Sequence, residues 1–287
     1  MRLDAYLAQY WPEYSRSQWQ KYLKAGYVTV NGEVETSAKR TLGEDDEVQV
    51  NLPVAPDFSK ESLPVIYEDD NVLVINKPTG ILTHAKGAVI EEFTVADFVK
   101  SKMLEPEDNN RPGIVHRLDR ATSGVLIAGK DPVSKRYLQK QFSERKAKKT
   151  YLAIVKGELK HQAAKIDLPI ERNPKAPATF RISANGKPAS TDYQVLSTNG
   201  KYSLVELKPL TGRTHQLRVH LRHLNAPILG DELYGGGKSP IGRLCLHAWQ
   251  LEITIPTSQR KTFTAPLPDD FKYALETLGL EEYGTSN

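Results

Sequence analysis

Tight-turn signals between short apolar runs constrain the fold of this chain most. Val28-Thr29-Val30 meets Asn31-Gly32, a strong hairpin signal, and Glu33-Val34 follows. Val65-Ile66-Tyr67 and Val72-Leu73-Val74-Ile75 flank the turn Glu68-Asp69-Asp70-Asn71, which predicts a second hairpin, buried on both strands. Asn199-Gly200 predicts a third, leading into a strand over residues 202–207. Helical patterns occur, but they do not alternate regularly with strands. A doubly wound parallel sheet needs regular helix crossovers. The expected class is therefore α+β, with a mixed, mainly antiparallel sheet.

The chain has 287 residues, 39% of them hydrophobic, which suits one large domain plus a small one. Residues 1–52 are expected to form the small one. Leu3 and Leu7 stand at helical spacing, Pro12 breaks that helix, and Ser15 with Gln18 matches a capping box. The second helix carries Trp19 and Leu23 on one side, with Arg16, Lys21 and Lys24 elsewhere, and Gly26 is placed to end it. About fifty residues bury little, so this is a satellite unit. Residues 53–62, with Pro53 and Pro56, read as a linker, residues 63–278 as the main domain and residues 279–287 as a polar tail. The single cysteine, Cys245, excludes a disulfide framework and a multi-cysteine zinc site. The first residues lack the apolar core of a secretory signal, and no run approaches the length of a membrane span. A cytoplasmic protein with no membrane partner is expected. A Walker-type loop and paired dinucleotide glycines are both absent.

Net charge is +4, unevenly spread: residues 130–149 hold eight basic side chains and two acidic ones. That run is either a solvated helix face or a surface that tracks phosphates.

Chemistry concentrates in two stretches. In residues 111–129, a Pro112-Gly113 turn precedes the polar run His116-Arg117-Leu118-Asp119-Arg120, and Val125 opens a buried strand. Neighbouring cations favour the charged form of a carboxylate. Asp119 therefore suits a nucleophile better than a general acid, although an ordinary loop ion pair explains the same residues. Tyr151 opens the strand at residues 150–155 and faces opposite to Leu152, as core or as a plane on which a base can stack. In residues 209–223, Thr211-Gly212 predicts a helix start. Leu217, Leu221 and Leu224 share one arc, and His215, Arg218 and Arg222 another. His215 and His220 fall on different faces, and no Glu accompanies His220 and His223, so no metal is expected. Arg218 reads better as a cation aimed at a carboxylate or phosphate.

The first fifty residues resemble the S-four-like RNA-binding domain. The likeness rests on Arg2-Leu3-Asp4-Ala5-Tyr6-Leu7, Ser15-Arg16-Ser17, Gly26 through Gly32 and the turn at residues 43–48. It implies RNA phosphates at Arg16, Lys21 and Lys24. The main domain resembles an RluA-type pseudouridine synthase. Asn76-Lys77-Pro78-Thr79-Gly80, Pro112-Gly113 with His116-Arg117-Leu118-Asp119, Lys149-Thr150-Tyr151, and Thr211-Gly212-Arg213-Thr214-His215-Gln216-Leu217-Arg218 carry the likeness. Gly230-Asp231 with Tyr234-Gly235, and Leu246-His247-Ala248, extend it in family order. Ile255 departs from the pattern, and residues 86–110 match no motif.

The resemblance implies a cofactor-independent RNA isomerase with a central catalytic cleft. In it Asp119 is the catalytic carboxylate, Tyr151 stacks on the flipped uracil and Arg218 pairs with Asp119. Arg117 helps to extract the nucleotide, and His116, Arg213 and His215 contact substrate. Ribosomal RNA of the large subunit, free or inside a pre-ribosomal particle, is the expected partner, and a monomer the expected state. Transfer RNA, or a role as an RNA-binding assembly factor with dispensable catalysis, stand as alternatives.

Overall fold

The computed structural model describes residues 1–53, 56–85, 92–103 and 111–281. Contacts divide the chain into two compact units, Met1–Glu61 with His84–Thr94, and Ser62–Thr83 with Val95–Asn287. Most of the motif-free stretch at 86–110, and residues 282–287 of the expected tail, lie outside the described residues.

In the first unit, helices α1 (Leu3–Tyr10) and α2 (Arg16–Lys24) precede strands β1 (Val28–Val30), β2 (Glu33–Val34) and β3 (Val48–Val50). The capping box at Ser15 is complete: Ser15 Oγ accepts from the Gln18 amide, and Gln18 Oε1 accepts from the Ser15 amide at 2.7 Å. Asn31 and Gly32 both take positive φ, 55° and 81°, as the tightest hairpin turn requires. The three strands pair antiparallel in the order β2-β1-β3. Leu3, Leu7, Trp19, Leu23 and Val28 are fully buried between helices and sheet. Asp4 is buried among them. Arg2, Arg16 and Gln20 clamp its carboxylate at 3.0, 2.9 and 2.8 Å. Burial alone would raise the pKa of Asp4, but those bonds, Arg16 first, hold it well below the usual carboxylate range.

The second unit opens with β4 (Val65–Glu68), β5 (Val72–Lys77), α3 (Val95–Ser101) and β6 (Ser123–Gly129). It continues with α4 (Pro132–Ser143), β7 (Lys148–Lys156), β8 (Ala163–Asp167), β9 (Ile170–Arg172) and β10 (Phe180–Ile182). Then come β11 (Ser190–Thr198), β12 (Tyr202–Pro209), α5 (Gln216–His223), β13 (Leu246–Thr254), β14 (Arg260–Thr264) and α6 (Asp269–Thr277). Nine strands form one sheet in the order β4-β5-β6-β13-β7-β12-β11-β8, with β14 beside β13. Every named pair is antiparallel except β6–β13. The fold is the expected α+β type with a mixed, mainly antiparallel sheet.

The hairpin at residues 65–77 is buried only in part. β5 lies inside, but β4 ends the strand order and Val65 is 44% exposed. A strand with one neighbour has one open edge, which the apolar run alone does not reveal. Asp131 caps α4 by accepting from the Val133 and Ser134 amides, with Pro132 in the first turn. Gly124 brings β6 against β13 at φ 119°, where a Cβ would stand 2.2 Å from the Ala248 carbonyl oxygen.

Candidate active site

A cavity of about 540 Å³ opens where the loop before β6, the start of β7 and the loop before α5 converge. Asp119, Tyr151, Arg117, His116, Arg213, His215 and Arg218 all line it. Residues up to 102 positions apart in sequence, His116 and Arg218, thus meet at one place.

Asp119 stands on a loop pinned on both sides. Before it, Thr83 Oγ1 donates to the Leu118 carbonyl at 2.8 Å and accepts from the Leu118 amide at 3.2 Å. After it, the Gly80 amide and Lys77 Nζ donate to the Arg120 carbonyl at 2.8 and 3.3 Å. The Thr122 amide closes the turn onto the Asp119 carbonyl at 3.0 Å. Lys77 is fully buried and also donates to the Pro78 and Ile81 carbonyls, both at 2.8 Å. Three acceptors engage all three ammonium hydrogens. Burial pulls its pKa down to about 7, against the opposing pull of the Asp119 charge. The sequence pattern showed Asn76-Lys77-Pro78 only as a motif and gave this lysine no task.

Tyr151 reaches the cavity from β7, and Leu152 beside it is fully buried. Opposite Tyr151, β13 shifts register between Ala248 and Gln250, a bulge that locally turns the strand. Burial, and then the nearby Asp119 carboxylate, push the Tyr151 phenol upward, so it stays a neutral ring with its proton.

The helix bearing Arg218 starts at Gln216, four residues beyond Gly212. The reason is local. Gln216 Oε1 accepts from Thr211 Oγ1 at 2.6 Å and from the Arg213 amide at 3.0 Å. Its Nε2 donates to the Ser190 carbonyl at 3.0 Å. The residues between are therefore folded as a polar turn, and His215 sits in the left-handed region at φ 56°.

Arg218 does not take Asp119 as its main partner. Its fork donates through Nε and Nη2 to the two Asp231 oxygens, both at 2.7 Å, while Asp119 Oδ2 lies 3.9 Å from Nη1. Asp231 is buried, and its Oδ1 also accepts from the Leu233 and Tyr234 amides. The Tyr234 ring lies 5.0 Å from the Arg218 guanidinium carbon, a cation–π contact. Burial works against the charge of Arg218, but the Asp231 hydrogen bonds more than compensate, so its pKa is raised.

His215 faces Asp119 from the other side, with Nε2 at 3.8 Å from Oδ2. Its Nδ1 is hydrogen-bonded to the Tyr234 hydroxyl at 2.9 Å, and that hydroxyl accepts from the Phe180 amide at 2.8 Å. Burial lowers the His215 pKa, with Asp119 pulling the other way, so the ring is mainly neutral at pH 7. His116 faces the cavity, but one of its nitrogens is already used: Nε2 accepts from the Ile127 amide at 3.1 Å. Its ring stacks on Phe142 at 4.5 Å, and burial lowers its pKa to about 3. Arg117 and Arg213 are exposed at the rim, and Arg213 Nε donates to the Pro188 carbonyl at 3.1 Å.

In the other unit, Lys21 and Lys24 are exposed on α2. Arg16 is half-exposed and committed to Asp4. Among the described residues, no group of three or more His, Cys, Asp or Glu side chains could hold a metal, and no helix is long and apolar enough to cross a membrane.

Comparison with known proteins decides the family. The RNA pseudouridylate synthase model matches residues 71–223, which contain Asp119, Tyr151 and Arg218. The chain belongs to the RNA pseudouridylate synthase family. The S4 domain model matches residues 1–48 of this synthase. A ribosomal large subunit pseudouridine synthase D of Borreliella burgdorferi is 39% identical, over 94% of this chain and 87% of the relative. A protein of the same name from Xanthomonas campestris pv. campestris is 36% identical, over 96% and 88%. Among solved structures, human RNA pseudouridylate synthase domain containing 4 superposes with TM-score 0.63 at 31% identity, covering 76% of this chain and 94% of its own. The synthase is thus an isomerase whose substrate is RNA.

Proposed function

We propose that this synthase converts uridines of large-subunit ribosomal RNA to pseudouridine, as a cytoplasmic monomer, with Asp119 as its catalytic carboxylate. The observation that carries the reading is a carboxylate on a pinned loop inside a cavity of about 540 Å³, with Tyr151, His215 and Arg218 around it. The names of the similar synthases support the ribosomal substrate.

The reaction breaks the N1–C1′ bond, turns the uracil, joins C5 to C1′ and moves the C5 proton away as N1 gains one. Asp119 either attacks covalently or withdraws a ribose proton. The Tyr151 ring stacks on the turning base. Arg218, with its fork on Asp231, keeps positive charge about 4 Å from the reacting carboxylate. Arg117 at the rim enters the space that the flipped nucleotide leaves. Lys21 and Lys24 add sequence-independent affinity for phosphates.

The test is to treat unmodified ribosomal and transfer RNA with the synthase and with its Asp119→Ala variant. Pseudouridines are mapped by carbodiimide adduct stops in reverse transcription. Stops in large-subunit RNA with wild type and none with the variant are expected. Stops confined to transfer RNA would move the substrate. Stops that persist with Asp119→Ala would remove the assigned role.

A further inference from the structure

A second cavity, of about 460 Å³, adjoins the first. The two share four lining residues, Arg145, Lys149, Pro209 and Leu210, which form a ridge between them. The ridge has the chemistry of a nucleic-acid backbone site. Lys146, Lys148 and Lys208 each have a carboxylate, at 2.7 Å on Glu144, 3.3 Å on Glu252 and 2.5 Å on Glu206. Arg145 and Lys149, the two cations on the ridge, have no carboxylate partner among the described residues. Lys149 Nζ donates one hydrogen to the Thr211 carbonyl at 3.2 Å, which fixes it at the lip of the loop leading to α5. Two of its three hydrogens remain for an acceptor. Leu210 is 44% exposed on the same ridge and offers apolar surface to a base.

We propose that Lys149, with Arg145 beside it, holds the phosphodiester that joins the isomerised uridine to its neighbour, and that the second cavity takes the neighbouring nucleotide. The inference rests on the reading of the first cavity as the uridine site. A uridine drawn into that cavity remains tied to the chain through its phosphates, so its neighbour must leave over some part of the rim. Arg117 and Arg213 elsewhere on the rim also have no carboxylate partner among the described residues, but only the ridge joins two such cations to a second hollow beyond. Asp192 and Glu252 line that hollow. Glu252 is occupied by Lys148 and Arg260, and Asp192 lies between Lys208 and Lys165 on the adjacent strands.

Lys149 is also poised to report on its ligand, because burial lowers its pKa to about 8. The groups around it are Arg145 and the neutral His116 ring on one side, Arg213, His215 and Asp119 across the cavity, and Lys148, Lys208 and Glu252 on the strands beside it. A bound phosphate would stabilise the ammonium, so affinity should fall as pH rises through that value.

The test uses the full chain, its Lys149→Ala and Lys149→Arg variants, and a large-subunit ribosomal RNA transcript tritiated at uridine C5. Lys149→Ala should raise KM about tenfold with kcat within about twofold, the scale of one charge-assisted hydrogen bond. Lys149→Arg should restore KM. Wild-type KM should climb above about pH 8, and Lys149→Arg should flatten that climb. A neutral methylphosphonate placed 5′ or 3′ of the modified uridine identifies the linkage. At the held position it raises wild-type KM and adds nothing to Lys149→Ala. An unchanged KM in Lys149→Ala, a loss confined to kcat, or neutral linkages that penalise Lys149→Ala as much as wild type would overturn the assignment. If wild type turns over no RNA, the uridine-site reading fails by itself, and the ridge is judged by binding to oligouridylate. There, a log–log salt slope about 0.7 smaller for Lys149→Ala supports the phosphate contact, and equal slopes refute it.

Discussion

Replacing Asp231 by Asn tests the charge arrangement most directly. The side chain keeps its size but loses the negative charge that receives both arms of Arg218 at 2.7 Å. Both partners are dry: their side chains are 9% and 0% exposed. Removing one member of such a pair costs about 3–5 kcal/mol, because the other is left buried and uncompensated. Here the lower end applies, since Asp119 stands 3.9 Å from Nη1 and offers a second acceptor. A loss of about 3 kcal/mol in a unit of this size lowers Tm by about 6–12 °C. Arg218→Met should cost a similar amount, and the double variant should lose less than the sum of the two by about 2 kcal/mol or more. Thermal unfolding of the four proteins by circular dichroism measures the cycle. Activity carries a second signature. Once residue 231 is neutral, Arg218 should turn to Asp119, 3.9 Å from Nη1, and occupy the carboxylate proposed to act on substrate. Tritium release from C5-labelled RNA should then fall about tenfold or more in kcat for Asp231→Asn. Additive Tm losses in the cycle, or a stable Asp231→Asn protein with wild-type kcat, would refute the reasoning.

Three further outcomes follow from particular contacts. Asp4→Ala should destabilise the S4 domain by about 2 kcal/mol, less than a dry ion pair because Arg2 and Arg16 can turn to water, and proteolysis within residues 1–48 should accelerate. Gly124→Ala forces a Cβ to 2.2 Å from the Ala248 carbonyl at φ 119°, so it should cost about 3 kcal/mol or more and lower soluble yield, whereas Gly157→Ala, with nothing within 4 Å, should cost only about 1 kcal/mol for its backbone. Burial lowers the His247 pKa to about 4, so the unfolded chain binds a proton there that the folded chain does not. That contribution to stability is complete above about pH 6.5 and is lost as pH falls towards 4, by about 1.4 kcal/mol per unit. His247→Gln should remove one proton from the slope of stability against pH between 6.5 and 4, and an unchanged slope would contradict the assignment.

Turn chemistry makes much of the fold legible in the sequence. Asn31-Gly32, Asn199-Gly200, Ser15 with Gln18, and Asp131-Pro132 each act through their own backbone or a near neighbour, and each does what its residue types require. The candidate site is legible as a set of residues for a different reason: Asp119, Tyr151 and Arg218 lie in motifs that a family resemblance identifies. Their partners are not legible. The tie from Arg218 to Asp231 spans 13 residues, with a loop between, and no periodicity connects them. The same holds for Lys77, whose carbonyl acceptors at Ile81 and Arg120 are backbone atoms that every residue possesses. Arg16 reads as a free surface cation because its partner, Asp4, lies on the preceding helix. The exposure of β4 is hidden for a related reason: strand order, not strand composition, decides which strand lacks a neighbour.

Where the arginine spends its hydrogen bonds bears on the chemistry proposed for Asp119. A guanidinium fork matches one carboxylate bidentately, and a carboxylate so held has its lone pairs committed to the fork. Had Arg218 gripped Asp119, as the resemblance implied, attack on C1′ or withdrawal of a ribose proton would first have to break that grip. With the fork on Asp231, Arg218 is fixed as a cation close to Asp119 yet leaves its oxygens available. His215, held on its far side by Tyr234, stands at a similar distance. Two nitrogens thus stand just outside hydrogen-bond distance of the same Asp119 oxygen. If Asp119 is the reacting carboxylate, as proposed, Asp231 is a positioning residue as much as a structural one. A pair of acids sharing one arginine lets the buried member take the bidentate bond and leaves the cavity member free to react.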